Sequence, residues 1–309
     1  MAFQWMRRVL LALAPAALLA LAACDSSTIE SQFRPTRLVA FGDALSDMGQ
    51  TGPAPDGRRH MIDNSDRLWL KQVAGSYQVA SVAAARWGGS VYATGNARIN
   101  AHPDAVGNAG TPTIKEQIDA FLSAGGPTEN DLITLQGGIS DVIYQVQAHR
   151  SGAITREQLL ANVRQAGLDF AAQARRLRGA GAKHIVLVGM YDLSVTPWGI
   201  STQLQPLVSE ASRTFNETVL VDLVQQGDTM LFVDTALLFN LMVNNRAAYG
   251  FDNVTEAACG QVSAYQCTTA NLPAGANPDK YLWADSFYPT AAAHARLAEF
   301  VYTRVSTRW

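Results

Sequence analysis

Charge is scarce in this sequence. Of its 309 residues 16% are charged, where a globular domain usually has about a quarter. The 24 basic and 26 acidic side chains leave a net charge of −2. With no basic excess to neutralise a phosphate backbone, nucleic acid is excluded as a partner class. Histidine is sparse, and His60, His102, His149 and His184 show no metal-ligand spacing, so they read as surface or structural groups and no metal or cofactor is expected. There is no internal repeat and no interior linker, which points to one main domain. The hydrophobic fraction of 48% is ordinary and excludes disorder, collagen and coiled coil. A chain of this length buries a sizeable core.

Long apolar runs are also missing. Val9 to Ala20 carries no charge but is too short to span a bilayer. Arg7 and Arg8 precede it and Leu21-Ala22-Ala23-Cys24 follows, the order of an export signal. The last four residues resemble a bacterial lipobox, in which the Cys becomes the first mature residue and carries acyl chains. The expectation is a signal peptide over 1–24, a linker over 25–36 and a domain over 37–309. The protein is then an exported envelope lipoprotein facing the periplasm, lipidated at Cys24 and bound to a membrane through that lipid. Asp25 resembles an inner-membrane retention signal, but the choice between inner and outer membrane stays open, as does the oligomeric state. Removing 1–24 takes two arginines and no acid, making the mature side-chain balance −4.

Cysteine is the third scarcity, with three in all. Once Cys24 is assigned to the lipid, Cys259 and Cys267 remain. A close pair in an exported chain reads as one local disulfide, and no further His or Cys nearby favours zinc.

The rest of the chain alternates short apolar runs with helical periodicities. Leu38–Phe41, Val91–Ala93, Leu132–Leu135, Ile185–Val188 and Leu231–Asp234 read as strands. Gly49 to Asp66 reads as a long loop. Helices are expected from Leu68 to Ala74, around Ile114, Ile118, Phe121 and Leu122, from Thr155 to about Gly179, from Leu204 to Gln226, and from Thr290 to Val305. Thr155 and Gln158 have the spacing of a capping box. Alternating strands and helices of crossover length predict an α/β fold, a three-layer α/β/α sandwich with a parallel sheet. Such sheets place ligands at the carboxyl ends of their strands.

Three of those ends carry distinctive residues. The first is Phe41-Gly42-Asp43-Ala44-Leu45-Ser46-Asp47, the second Gln136-Gly137-Gly138-Ile139-Ser140-Asp141. The third runs from Trp283 through Asp285, Tyr288, Pro289 and Thr290 into a helix bearing His294. Together they resemble the GDSL or SGNH ester hydrolases (lipases, esterases and acylhydrolases), which share a flavodoxin-like layered fold. The resemblance covers about residues 37–305. It implies the sequence blocks F-G-D-S-L-S-D, a G-G-A-R-like turn, G-x-N-D and D-x-x-H-P-T-x-x-x-H, in that order. The first block matches at six of seven positions.

The departures fall on the positions that the resemblance makes catalytic. Ala44 stands at the nucleophile position and Tyr288 at the position of the His base. Asp285, which would orient that base, is retained. Asn96, within Ala93-Thr94-Gly95-Asn96-Ala97-Arg98, and Ser140 stand at the two oxyanion-hole positions, although a slip by one residue would restore Gly95. A methyl group cannot attack an acyl carbon. A phenol with a pKa near 10 cannot serve as a base at neutral pH. The expectation is a catalytically impaired member that binds an acyl, glycan, lipid or protein ligand in the old crevice. The alternative is an active carboxylic-ester hydrolase with a rearranged site, in which Ser46 or Ser140 attacks with help from His294 and Asp285. Against it, Ser46 is expected at the start of a following helix and turned away from the crevice. His294 is expected about 9 Å along a helix from position 288, packing or capping rather than reacting.

Overall fold

The strand starting at Arg37 lies at one edge of a four-stranded parallel sheet. In the computed structural model, which describes residues 33–51, 60–61, 67–80 and 82–309, the sheet comprises β1 (Arg37–Phe41), β3 (Asp131–Gln136), β4 (His184–Val188) and β5 (Met230–Val233). Its order is β1-β3-β4-β5. The register runs Leu38 to Leu132 to His184, and Val188 pairs with Val233. Every residue of β3 is buried, the consequence of helices covering both faces. Two further strand pairs are small: β2 (His60–Met61) with β7 (Gln266–Cys267), and β6 (Asn253–Ala257) with β8 (Tyr281–Trp283).

Helices α2 (Ile114–Ser123), α3 (Ile139–Arg150), α4 (Arg156–Gly179) and α6 (Gln205–Asp222) pack with one another on one face. Helices α1 (Trp69–Ser76), α7 (Thr235–Asn244) and α8 (Ala291–Ser306) pack together on the other. The result is the three-layer α/β/α sandwich. The short α5 (Pro197–Ser201) follows β4. Thr113 and Thr155 each form a complete capping box, with Glu116 and Gln158. Thr290 caps α8 through the Ala293 amide. No helix among the described residues is long and apolar enough to cross a membrane.

The structure changes three of the expected elements and adds two helices, α3 and α7, that were not expected. Val91–Ala93 is not a strand. Only Val91 bridges, to Ala40 on one side and Ala84 on the other, while the segment continues beside β1 through single bonds from the Tyr92 amide to the Ala40 carbonyl at 2.7 Å and from the Thr94 amide to the Gly42 carbonyl at 3.0 Å. The helix expected to Gln226 stops at Asp222, which Arg175 holds through an ion pair. Asp234 lies beyond β5 and caps α7 through the Leu237 amide. Helices α3 and α7 give no clean amphipathic stripe. Helix α3 buries Ser140, Asp141 and Gln145 along with its apolar residues, while α7 is nearly all apolar. The expected signal peptide, including Cys24, and most of the Gly49–Asp66 loop lie outside the described residues. The segment expected as a linker is described from Phe33, which is buried against His184 and Trp309.

Candidate active site

At the carboxyl ends of the paired strands β1 and β3, Gly42 lies directly against Gln136. A Cβ on Gly42 would stand 2.7 Å from Gln136 Oε1 and 2.8 Å from the Gln136 carbonyl oxygen, so only glycine fits. Gln136 is fully buried, and its Oε1 accepts the Asp43 amide (3.2 Å) and the Ser46 hydroxyl (3.4 Å). Gln117, from α2, accepts the Gly42 amide at 3.0 Å and donates to the Gly42 carbonyl at 2.9 Å. The turn bearing Ala44 is thus clamped by two buried amides. Neither glutamine was assigned a role from sequence. Their signal is weak, since each acts through contacts 75 or more residues away.

Residues 43–46 form a turn with no helix after it, closed by the Ser46 amide on the Asp43 carbonyl at 3.2 Å. The expected helix start at Ser46 is therefore incorrect. Ser46 is nonetheless buried, with its hydroxyl directed at Gln136.

Asp47 joins this turn to the next. One of its oxygens accepts the Gly49 and Gln50 amides, each at 2.8 Å, and the other accepts the Gly95 amide at 2.7 Å and bonds Thr51. The Gly95 amide is therefore already committed to Asp47. Asn96 follows it with a left-handed φ of 63°, a conformation that asparagine tolerates better than most residues. A bond from the Ala97 amide to the Thr94 carbonyl at 3.2 Å closes the turn around it.

Arg98 and Asp141 connect the second turn to the start of α3. Arg98 Nε lies 3.2 Å from Asp141 Oδ1, and Asp141 Oδ2 accepts the Ile99 amide at 3.0 Å. The guanidinium also stacks on Tyr144, 4.1 Å from the ring centroid. Burial pushes the Asp141 carboxyl up to about 6, against the opposing pull of Arg98 and the Ile99 amide. Ser140, one residue earlier, is fully buried, and its hydroxyl has no hydrogen-bond partner among the described residues.

Asp285 sits in the loop between β8 and α8. Its Oδ1 accepts the Phe287 and Tyr288 amides and its Oδ2 the Ala264 amide, all at 2.8 Å. Ala264 belongs to the segment enclosed by a disulfide between Cys259 and Cys267. The Cys259 amide bonds the Ala284 carbonyl at 2.9 Å, so the disulfide loop is docked directly on the Asp285 segment. Tyr191, from the end of β4, donates its hydroxyl to the Phe287 carbonyl at 2.6 Å. Burial pushes the Tyr191 hydroxyl well above its ordinary titration range, and Tyr288, Asp43 and Asp285 add to the effect. Tyr191 therefore lies among the first and last blocks, a role its position in the sequence does not signal. The Trp198 amide bonds the Ser286 carbonyl at 2.9 Å, and its ring packs 5.4 Å from Phe287.

His294 is fully buried in the first turns of α8, and its Nδ1 receives the Trp69 amide at 3.4 Å. Tyr288 precedes the helix, which begins at Ala291, so the segment between them is only partly helical. His102 pairs with exposed Glu116, His149 Nδ1 lies 3.0 Å from the Ile154 carbonyl, and His184 stacks under Phe33. The side chain of His60 is outside the described residues. No group of three or more His, Cys, Asp or Glu among the described residues is placed to hold a metal.

A parallel sheet whose strand ends carry these mutually bonded turns defines a protein of the layered α/β/α class. The family of GDSL-like lipases and acylhydrolases matches residues 38–301, and the chain belongs to it. Esterase EstA of Pseudomonas aeruginosa is 27% identical over 313 residues, covering 88% of this chain and 47% of that protein. A GDSL esterase/lipase of Arabidopsis thaliana is 28% identical over 145 residues, covering 42% of this chain and 39% of that one. The chain spans about half the length, or less, of these curated relatives. Among solved structures, an acetylxylan esterase of Geobacillus stearothermophilus aligns at 15% identity with a TM-score of 0.49, covering 88% of this chain and 95% of that one. Phospholipase A1 of Streptomyces albidoflavus aligns at 13% identity with a TM-score of 0.49, covering 87% and 99%.

Proposed function

We propose that this chain is an envelope lipoprotein of the GDSL family that binds an acyl, glycan or protein ligand in the crevice and does not hydrolyse it. One observation carries the reading. The frame around the family's reaction centre persists, in Gln136, Asp47, the Arg98–Asp141 pair and Asp285, while the nucleophile and base positions hold Ala44 and Tyr288. Replacing a catalytic Ser or His in one protease costs about 10⁶ in kcat, and losing one oxyanion donor from an intact site costs roughly 10²–10³. Asp285 already accepts three backbone amides, which suits a carboxylate that shapes its loop. The rearranged site gains no support from His294, whose Nδ1 faces the Trp69 amide.

The test is turnover. The purified chain is expected to hydrolyse short and long acyl esters no faster than a heat-killed control. Ala44→Ser alone should recover little, because its hydroxyl has no base to take its proton. Ala44→Ser with Tyr288→His should recover more than the two single changes together, since nucleophile and base act as a unit. Turnover by the unmodified chain that disappears with Asp285→Ala or His294→Ala would overturn the proposal.

A further inference from the structure

We infer that the crevice opens away from the membrane that anchors the chain, so that a ligand reaches it through the aqueous envelope space and not from the leaflet that holds the lipid. The inference rests on the anchor reading above and extends it from attachment to orientation.

The four strands of the main sheet are parallel, so their starts share one end of the molecule and their finishes the other. The turns bearing Ala44 and Ser140 follow β1 and β3 at the finishing end, and contacts of Tyr191 and Trp198 hold the Asp285 loop there. The chain enters at the opposite end. The Phe33 ring stacks on His184, the first residue of β4, with centroids 3.7 Å apart. The Phe33 amide bonds the carbonyl of the last residue, Trp309, at 3.4 Å, and the Thr36 amide bonds Asn130, just before β3, at 3.0 Å. Phe33 is thereby fixed at the starting edge of the sheet.

Contour length then limits the orientation. Cys24 and Phe33 are nine residues apart, which spans about 30 Å at full extension. A compact body of this chain length has a radius of gyration of about 19 Å, so a path over its surface from one pole to the other is on the order of 75 Å. A tether less than half that long, leaving from the starting edge, cannot wrap the body and bring the crevice to the leaflet that holds the lipid. A ligand extracted from that leaflet would have to travel around the molecule, whereas a ligand in the aqueous space meets the crevice directly.

The test places one dye at each pole of the full, lipidated chain. Lys183→Cys labels an exposed position beside His184, and Ser201→Cys labels an exposed position in α5, next to the Asp285 loop. The added thiol is the reactive one, because Cys259 and Cys267 are joined and Cys24 carries the lipid. Each labelled protein is bound to phosphatidylcholine–phosphatidylglycerol vesicles with an energy-transfer acceptor on the lipid headgroup, and attachment is read by flotation. The dye at 183 is expected to lose more donor fluorescence to the lipid acceptor than the dye at 201. Equal or reversed transfer in floated protein would overturn the orientation and leave the anchor standing. Failure to float would overturn the anchor reading, and the orientation with it.

Discussion

Ala44 and Tyr288 differ from a serine and a histidine by a few atoms, yet those atoms are the nucleophile and the proton acceptor of ester hydrolysis. The residues around them bear a different load. Gly138 has φ 98°, and a Cβ there would meet the Phe215 ring at 2.6 Å, so its place in the turn is fixed by backbone and packing whatever the chemistry. Asp141 offers a pH-dependent test of how buried this frame is. Its folded-state carboxyl titrates at about 6 against an ordinary 3.8. Its contribution to stability is therefore full below pH 3.8 and declines as the pH rises through about 6. Asp141→Asn removes that titration. The unfolding free energy of the wild type, measured relative to the variant by urea denaturation, is expected to fall by up to about 3 kcal/mol across this window. A difference that stays constant with pH would show that Asp141 is ionised at both ends of the window.

At the level of elements, the sheet supplies the positions and the small lobes lock them. The four strands deliver their turns to one edge, but Asp285 arrives on a loop whose geometry depends on the disulfide segment, through the Ala264 amide. Closing a loop as short as that between Cys259 and Cys267 contributes about 2–3 kcal/mol by the chain-entropy estimate. Replacing both cysteines with serine is expected to lower the unfolding free energy by that order. It should also speed amide exchange at Phe287 and Tyr288, whose amides Asp285 holds. Loss of stability with unchanged exchange there would mean that the Asp285 loop stands without the disulfide. Helix α3 illustrates how an element can escape a reading by periodicity. It buries polar residues that bond across turns, so its inward face is not apolar.

At the scale of the whole molecule, both described ends of the body meet at the edge opposite the crevice, where Phe33 and Trp309 pack around His184. That arrangement suits attachment from the N-terminal side without obstructing the strand finishes. Cys24→Ser is expected to release the protein from membranes or leave it unprocessed, as read by fractionation and by intact mass. Wild-type protein found free in the periplasm, with no acyl chains in its mass, would remove the anchor. Because the chain spans only about half of esterase EstA, that protein's activity is a hypothesis for this chain, and the turnover assay decides it.

The sequence by itself determined the layered α/β class, because short apolar runs and 3.6-residue periodicity are local properties of the chain. It also determined the four sheet strands, the capping box at Thr155 in outline, and the Cys259–Cys267 pair, each set by neighbours within a few residues. The same holds for the absence of Ser at 44 and His at 288, which is a matter of residue identity. Only the tertiary structure decided that Gln117 and Gln136 clamp the Ala44 turn, that Asp47 takes the Gly95 amide, and that Tyr191 lies between the first and last blocks. It also decided that Ser46 lies in a turn and not a helix, and that His294 faces Trp69. The Ser46 turn is closed locally, by the Asp43 carbonyl. Each of the others depends on hydrogen bonds or packing between residues tens to hundreds of positions apart, whose meeting is fixed by the order of strands in the sheet and leaves no periodic trace in the chain.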